Sequence, residues 1–402
     1  MRIALIHDSL NACGGAERLA LAFAKALKEG GHSVDLYVME KIMWDRVEKL
    51  LSYNRNVIDN EYVLPPYGIV PSIYGRFLSW LSRDVIGIHD VRRRRYDVIV
   101  ATKQVLVPTF VDVLYMHFPD FVPGFEYLYY PDRYMYNIAL RIYSRPAELL
   151  SRLLISLFKN MEYKPMILTN SRFSASMISR FLGVNGLVVY PPVNVEEYLP
   201  LSRNRDRDNI VLVIGRIEPA KNIASVPFIA EKVKNGRFVI IGSIGSYSYY
   251  RHLVRLIKSL SVEDRVRILP NASEWQKIEL LRRAKVYLHP MKYEHFGISV
   301  VEAMAAGLIP VVHRSGGPWT DIVEFGKYGF GFRDEDEATS IIENTLELKG
   351  TELENLQSRI VTRSQDFSYI KFKYTINNIF SKLEMSSKVF HENLSLSTWF
   401  NI

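Results

Sequence analysis

Tyr293-Glu294-His295-Phe296-Gly297-Ile298-Ser299-Val300-Val301-Glu302-Ala303-Met304-Ala305-Ala306-Gly307 is the stretch from which both fold and site are read. A loop is expected to turn at Gly297 into a short helix, because Val300, Val301, Ala303, Met304 and Ala305 are apolar and Gly307 supplies a stop. A helix start leaves its first N–H groups without internal partners, and the summed peptide dipoles make that end a weak positive pole. The amides of Phe296, Gly297, Ile298, Ser299 and Val300 can therefore hold phosphate or hydroxyl oxygens, with Gly297 allowing close approach to the backbone. Glu294 lies before the turn and Glu302 inside the helix, one carboxylate on each side of this cradle.

Carboxylates pair poorly with phosphate and well with vicinal sugar hydroxyls, where a charge-assisted hydrogen bond is worth roughly 1.5–3 kcal/mol. The ligand implied has sugar at both ends and negative charge between, the layout of a nucleotide-diphosphate sugar. The plain alternative is a buried βα unit with two solvated glutamates. Glu294 and Glu302, with seven residues between them and Phe296-Gly297 inside, resemble the E-x7-E element of the family 4 retaining glycosyltransferases, which have the GT-B fold. The wider run through Ser315-Gly316-Gly317-Pro318 and Asp321-Ile322-Val323 looks most like the dolichol-pathway α-1,2-mannosyltransferase branch.

The 402 residues are too many for one small core and favour two domains. A chain 48% hydrophobic and 23% charged is ordinary for a globular protein, so its net charge of +8 directs attention to an anionic membrane or nucleic acid. No RNP-like, helix-turn-helix or zinc pattern appears, which disfavours nucleic acid. The single cysteine, Cys13, excludes a disulfide within the chain. A strand pattern starts at Arg2, and no apolar run approaches the ~20 residues of a spanning helix. The expected location is the cytoplasm, peripheral at the cytoplasmic face of a membrane.

Apolar strands alternate with amphipathic helices from Ile3 past Val312, which predicts an α/β protein with parallel sheets. The pattern starts afresh at Asn209-Ile210-Val211-Leu212-Val213-Ile214, so two Rossmann-like halves are expected: 1–193 and 209–365, joined by a polar linker, 194–208, and followed by a helix and tail, 366–402. A strand Ile3–Ile6 and a helix Gly15–Glu29 enclose Asn11-Ala12-Cys13-Gly14-Gly15-Ala16-Glu17-Arg18, at a strand end where open α/β sheets bind ligands. The loop is not GxGxxG. It resembles the family's first loop, and the resemblance puts Gly14 and Gly15 beside the diphosphate and the acceptor; otherwise these glycines only let helix and sheet pack closely. A strand Phe110–Met116 ends in His117-Phe118-Pro119, and the same resemblance puts His117 against the donor sugar. His7, His32, His89, His252, His289 and His313 present no comparable case.

Gly215-Arg216-Ile217-Glu218-Pro219-Ala220-Lys221-Asn222 sets two cations on one loop after a strand, which suits adjacent phosphates; in the resembling family Arg216 and Lys221 would contact the donor diphosphate. Asp206-Arg207-Asp208 and Asp334-Glu335-Asp336 have the DxD spacing of metal-dependent glycosyltransferases. The first lies in the expected linker and the second reads as acidic residues at a helix start, so neither is taken as a metal site. From Arg133 to Arg180, Arg141, Arg145, Arg152, Lys159, Lys164 and Arg172 interleave with Leu149, Leu150, Leu153, Leu154, Leu157 and Phe158, as in helices lying on anionic membranes. Arg76–Leu81 and Arg92–Arg95 can add to that surface. The alternative is core leucines and solvated basics. Asp366–Leu383 is the segment expected to cross back to the first half.

The resemblance implies a retaining, metal-independent hexosyltransferase with no cofactor, taking mannose from GDP-mannose to a lipid-linked saccharide. Glu302 would hold the ribose diol and Glu294 the sugar hydroxyls. The alternatives are a UDP-sugar donor and a GT-B sugar-nucleotide epimerase.

Overall fold

The computed structural model describes residues 1–65, 73–84, 91, 94–103, 111–119, 138–204 and 206–398. Among the described residues thirteen strands form two wholly parallel sheets. The first contains β1 (Arg2–Ile6), β2 (Ser33–Val38), β3 (Asn60–Val63), β4 (Val98–Ala101), β5 (Val113–Met116), β6 (Met166–Thr169) and β7 (Leu187–Val188), in the order β3-β2-β1-β4-β5-β6-β7. The second contains β8 (Asp208–Ile214), β9 (Arg237–Gly242), β10 (Val266–Pro270), β11 (Ala284–His289), β12 (Ile309–His313) and β13 (Phe330–Phe332), in the order β10-β9-β8-β11-β12-β13. Strands such as Ile3-Ala4-Leu5-Ile6 and Val98-Ile99-Val100-Ala101 are buried on both faces, which is why they read as continuous apolar runs.

Each sheet reverses its strand order once, between β1 and β4 and between β8 and β11. The crevice beyond the carboxyl ends of such a pair is where open α/β sheets place ligands. Of the loops singled out in the sequence, the one around 11–14 follows β1, 215–222 follows β8 and 293–297 follows β11; 102–103, not singled out there, follows β4.

Helix Gly15–Glu29 has the expected bounds, with Leu19, Ala22, Phe23, Ala26 and Leu27 buried. Gly30 N–H closes it on the Ala26 and Leu27 carbonyls, and Gly31 turns away at φ +83°. The described residues of the joining stretch 194–208 include a turn of helix Val195–Tyr198, a 3-10 turn Leu199–Arg203 and the start of β8. Val195 and Tyr198 are buried in the second lobe. The last helix, Tyr369–Thr398, returns to the first lobe, where Phe372 and Phe380 meet Phe23 edge-on at 6.0 and 5.9 Å. Phe372, Ile376 and Phe380 are all buried there, each contributing about 1.5–3 kcal/mol by area.

Helix Ile138–Asn160 divides the leucines of the basic stretch. Phe158 is buried and Ile155 packs beside it, whereas Leu149, Leu153 and Leu157 are 66, 55 and 56% exposed. Residues 133–137, Arg92, Arg93, Phe110 and 399–402 lie outside the described residues, as do the side chains of Arg76, Phe77, Arg141 and the tail from Ser386. No helix among the described residues is long and apolar enough to cross a membrane.

Candidate functional site

The signature stretch turns as its residues require. Gly297 caps helix Ile298–Ala305 in the left-handed region at φ +99°, and Gly307 at φ +85° follows its end. The loop before the helix rests on Ser315-Gly316-Gly317. Ser315 Oγ accepts the Tyr293 N–H at 2.8 Å, and the Gly317 N–H donates to the Glu294 carbonyl at 2.8 Å. A Cβ at Gly316 would stand 2.3 Å from that carbonyl oxygen, so only glycine permits this approach.

Glu294 is the electrostatic centre. Lys221 Nζ donates to its Oε2 at 2.6 Å, and His289 Nε2 lies 3.6 Å from the same atom. Burial pushes the Glu294 carboxyl up, but Lys221, His289 and His295 outweigh it and hold the group well below the usual carboxylate range. The structure thus joins Lys221 of the loop after β8 to Glu294 of the loop after β11. It also corrects the dismissal of His289: as the last residue of β11, its ring is directed toward the carboxylate that follows. Arg216 is placed differently. Its guanidinium is largely exposed, pairs with Glu218 at 3.0 Å, and makes no ion pair with Glu294 or Glu302.

Inside the helix, Glu302 is 8% exposed, and its Oε2 lies 3.1 Å from Lys277 Nζ. Ser299 Oγ accepts the Tyr287 hydroxyl at 2.8 Å. Phe296, Val300 and Val301 are buried, so of this cradle they can offer backbone and little side chain.

The first lobe faces this helix. A methyl placed on Gly15 would lie 3.0 Å from Ile298 Cδ1, which brings the glycine loop against the signature helix. The Gly14 N–H donates to Glu17 Oε2 at 2.7 Å. Glu17 Oε1 lies 3.6 Å from His7 Nε2 and 3.9 Å from Lys103 Nζ. Burial raises the Glu17 pKa, and His7, Lys103 and the Gly14 amide together lower it further, to about 2. His7 therefore also belongs to the site, on the β1 end, with Nδ1 3.0 Å from Thr102 Oγ1.

His117 follows β5. The residue is partly exposed, yet Nε2 is enclosed and has no hydrogen-bond partner among the described residues. Burial, reinforced by His7, Lys103 and His295, lowers its pKa to about 3, so the imidazole is neutral at working pH. The next residue, Phe118, stacks on His295 at 4.1 Å and 3°, a direct contact between the strand end of one lobe and the signature loop of the other.

A second contact between the lobes was not legible in sequence. Asp321, fully buried, accepts the Arg172 N–H at 2.8 Å and the Tyr190 hydroxyl at 3.0 Å. Of the DxD residues, Asp334 caps helix Glu335–Glu347 by accepting the Glu337 N–H at 2.9 Å, and Asp208 pairs with Arg283. Among the described residues no group of three or more His, Cys, Asp or Glu side chains is arranged to hold a metal.

Residues 194–365 match the family model described as "Glycosyl transferases group 1". The chain is similar to a GDP-Man:Man(3)GlcNAc(2)-PP-Dol alpha-1,2-mannosyltransferase of Dictyostelium discoideum, 29% identical over 54% of this chain and 48% of the relative. It therefore spans about half that relative's length. Similarity to an alpha-1,3/1,6-mannosyltransferase of Kluyveromyces lactis is 25% identity over 81% of this chain and 72% of the relative. Among solved structures, HepE of Anabaena in complex with UDP superposes with a TM-score of 0.70 at 18% identity, covering 95% of this chain and 100% of that one. Residues 194–365 thus carry the likeness to glycosyl transferases group 1, within a chain whose fold is GT-B.

Proposed function

We propose that the protein is a retaining, metal-independent transferase that moves mannose from GDP-mannose to a hydroxyl of a lipid-linked saccharide. The observation that carries this reading is the Lys221–Glu294 contact at 2.6 Å, which supports pairing a cation suited to phosphate with a carboxylate suited to sugar hydroxyls. It lies in the same signature stretch whose Ile298 abuts Gly15 of the first lobe. In the reaction, the bond from the anomeric carbon to the diphosphate breaks and charge builds on the leaving oxygens. Lys221, the exposed guanidinium of Arg216 and the helix-start amides of Ile298 and Ser299 meet that charge, and preorganised donors are typically worth ~10²–10³ in rate each. The acceptor oxygen bonds to the same face of the sugar and its proton passes to the departing phosphate. Glu294 takes sugar hydroxyls, Glu302 the ribose diol, and neutral His117 lies toward the far side of the sugar.

Contact with an anionic membrane is supported by helix Ile138–Asn160. Leu149, Leu153 and Leu157 recur every four residues and point outward, beside exposed Arg145, Arg152 and Lys159. On this reading the acceptor's lipid meets the first lobe, at the cytoplasmic surface. The names of the mannosyltransferase relatives support the donor and the acceptor class.

The test is calorimetric titration with a panel of nucleotide sugars, followed by transfer to a lipid-linked acceptor and analysis of the product's anomeric configuration. GDP-mannose binding and an α-linked product are expected. Binding of UDP-sugars alone would move the donor assignment, an inverted product would remove retention, and sugar isomerisation without acceptor would identify an epimerase.

A further inference from the structure

Glu302 does not stand alone in its helix. Lys277, from helix Glu274–Arg283, brings Nζ to 3.1 Å from Glu302 Oε2, and the same ammonium donates to the Tyr198 hydroxyl at 2.7 Å. Glu274 Oε1 lies 3.6 Å from the same ammonium, which sits 4.9 Å from the centre of the Tyr198 ring. An ammonium has three N–H groups, and here one is hydrogen-bonded to Tyr198 while two carboxylates flank the same charge. Lys277 is therefore not poised to take a phosphate; it is committed to the carboxylate.

The partners come from three separate elements. Tyr198 ends the short helix that joins the lobes and is 3% exposed; Ser273 caps the helix of Lys277 with a reciprocal Gln276 contact; Glu302 belongs to the signature helix. Burial opposes the Lys277 charge, but Glu302, Tyr198 and Glu274 outweigh it and hold its pKa above the usual range. The ammonium therefore remains charged, Glu302 is held in one rotamer through Oε2, and Oε1 is left for a ligand.

We infer that Lys277, seated by Tyr198, is the positioning residue that aims Glu302 at the ribose diol and so sets the preference for a ribonucleotide. The inference rests on the nucleotide-sugar reading above. A lysine that merely supported the helix would affect every ligand of the lobe alike. One that aims a diol-binding carboxylate affects only ligands with a diol.

The experiment titrates the full chain with GDP and with 2′,3′-dideoxy-GDP, in wild type, Lys277→Met and Tyr198→Phe. Wild type should prefer GDP by about tenfold or more, the scale of one charge-assisted hydrogen bond. In Lys277→Met the preference should fall to about twofold or less while affinity for the dideoxy ligand is kept, and Tyr198→Phe should give an intermediate ratio. Equal loss of both ligands, or an undiminished preference in Lys277→Met, overturns the inference. Should that variant not fold, an unchanged ratio in Tyr198→Phe overturns it. Wild type that binds neither ligand sinks the guanosine donor itself, a result separable from a wild type that discriminates and variants that discriminate equally well.

Discussion

Replacing Lys221 by Met strands a carboxylate. The Lys221 and Glu294 side chains are only 22 and 15% exposed, and their contact is 2.6 Å. Breaking one side of a buried ion pair costs about 3–5 kcal/mol, because the remaining charge is left uncompensated. His289 still stands 3.6 Å from Glu294, so the lower end, about 3 kcal/mol, applies. For a lobe of this size each kcal/mol moves the midpoint by about 2–4 °C, so scanning calorimetry should show a fall of about 6–12 °C in the second lobe's transition. The double variant Lys221→Met/Glu294→Gln removes the stranded charge and should recover about half of that loss. The pH dependence has a definite sign. The Glu294 pKa is depressed in the folded protein, so the pair's contribution is present above the unfolded carboxyl value and is lost as pH falls below it. The gap between wild type and Lys221→Met should therefore narrow below about pH 4.5. Both variants should remain inactive. If the double variant is no more stable than the single one, or the single one loses nothing, the electrostatic account of this site is refuted.

His117 has a folded pKa of about 3, and its contribution is complete above the unfolded histidine value and declines as pH falls from there toward 3. One such proton gives a slope of at most about 1.4 kcal/mol per pH unit, and His117→Gln should flatten the acid arm of midpoint against pH; parallel curves would remove the assignment. Gly316→Ala places a Cβ 2.3 Å from the Glu294 carbonyl oxygen at φ +76°; the backbone alone costs about 1–2 kcal/mol, and the displaced loop should lose donor affinity, so an unperturbed variant would contradict the described loop. Changing Leu149, Leu153 and Leu157 together to Ser should abolish flotation with anionic vesicles while leaving the midpoint unchanged; wild type that does not float counts against the membrane face. Arg216→Ala should mainly lower turnover and leave donor affinity nearly intact, and equal losses in both would place the guanidinium in the resting site.

The fold was legible wherever one residue type had no substitute. Helix Gly15–Glu29 was readable at both ends from its apolar face and Gly30-Gly31, and the turn at Gly297 from a glycine before an apolar run. Lys221 and Glu294 were singled out in sequence, but their direct contact comes from the adjacency of the two strands that carry their loops, which no pattern in the chain displays. Lys277 was not, since on an amphipathic helix with Arg282 and Arg283 it looks like any solvated base; only folding carries it to Glu302. His7 and His289 were passed over because sequence shows no partner, yet each ends or follows a central strand and gains a carboxylate neighbour there. The compact chain at 195–203 was hidden by its charged neighbours, although Val195 and Tyr198 are core residues. Arg172 and Asp321 are far apart in the chain, and no periodicity connects a helix start in one lobe with a buried carboxylate in the other.

Whether the face where the lobes meet receives one activated sugar is measured most directly by titrating wild type and Glu302→Ala with GDP-mannose in parallel. Saturable binding in wild type, weakened about tenfold or more in the variant, is the expected result. Saturable binding of equal strength in both proteins, or none in wild type, would contradict the assignment of this site.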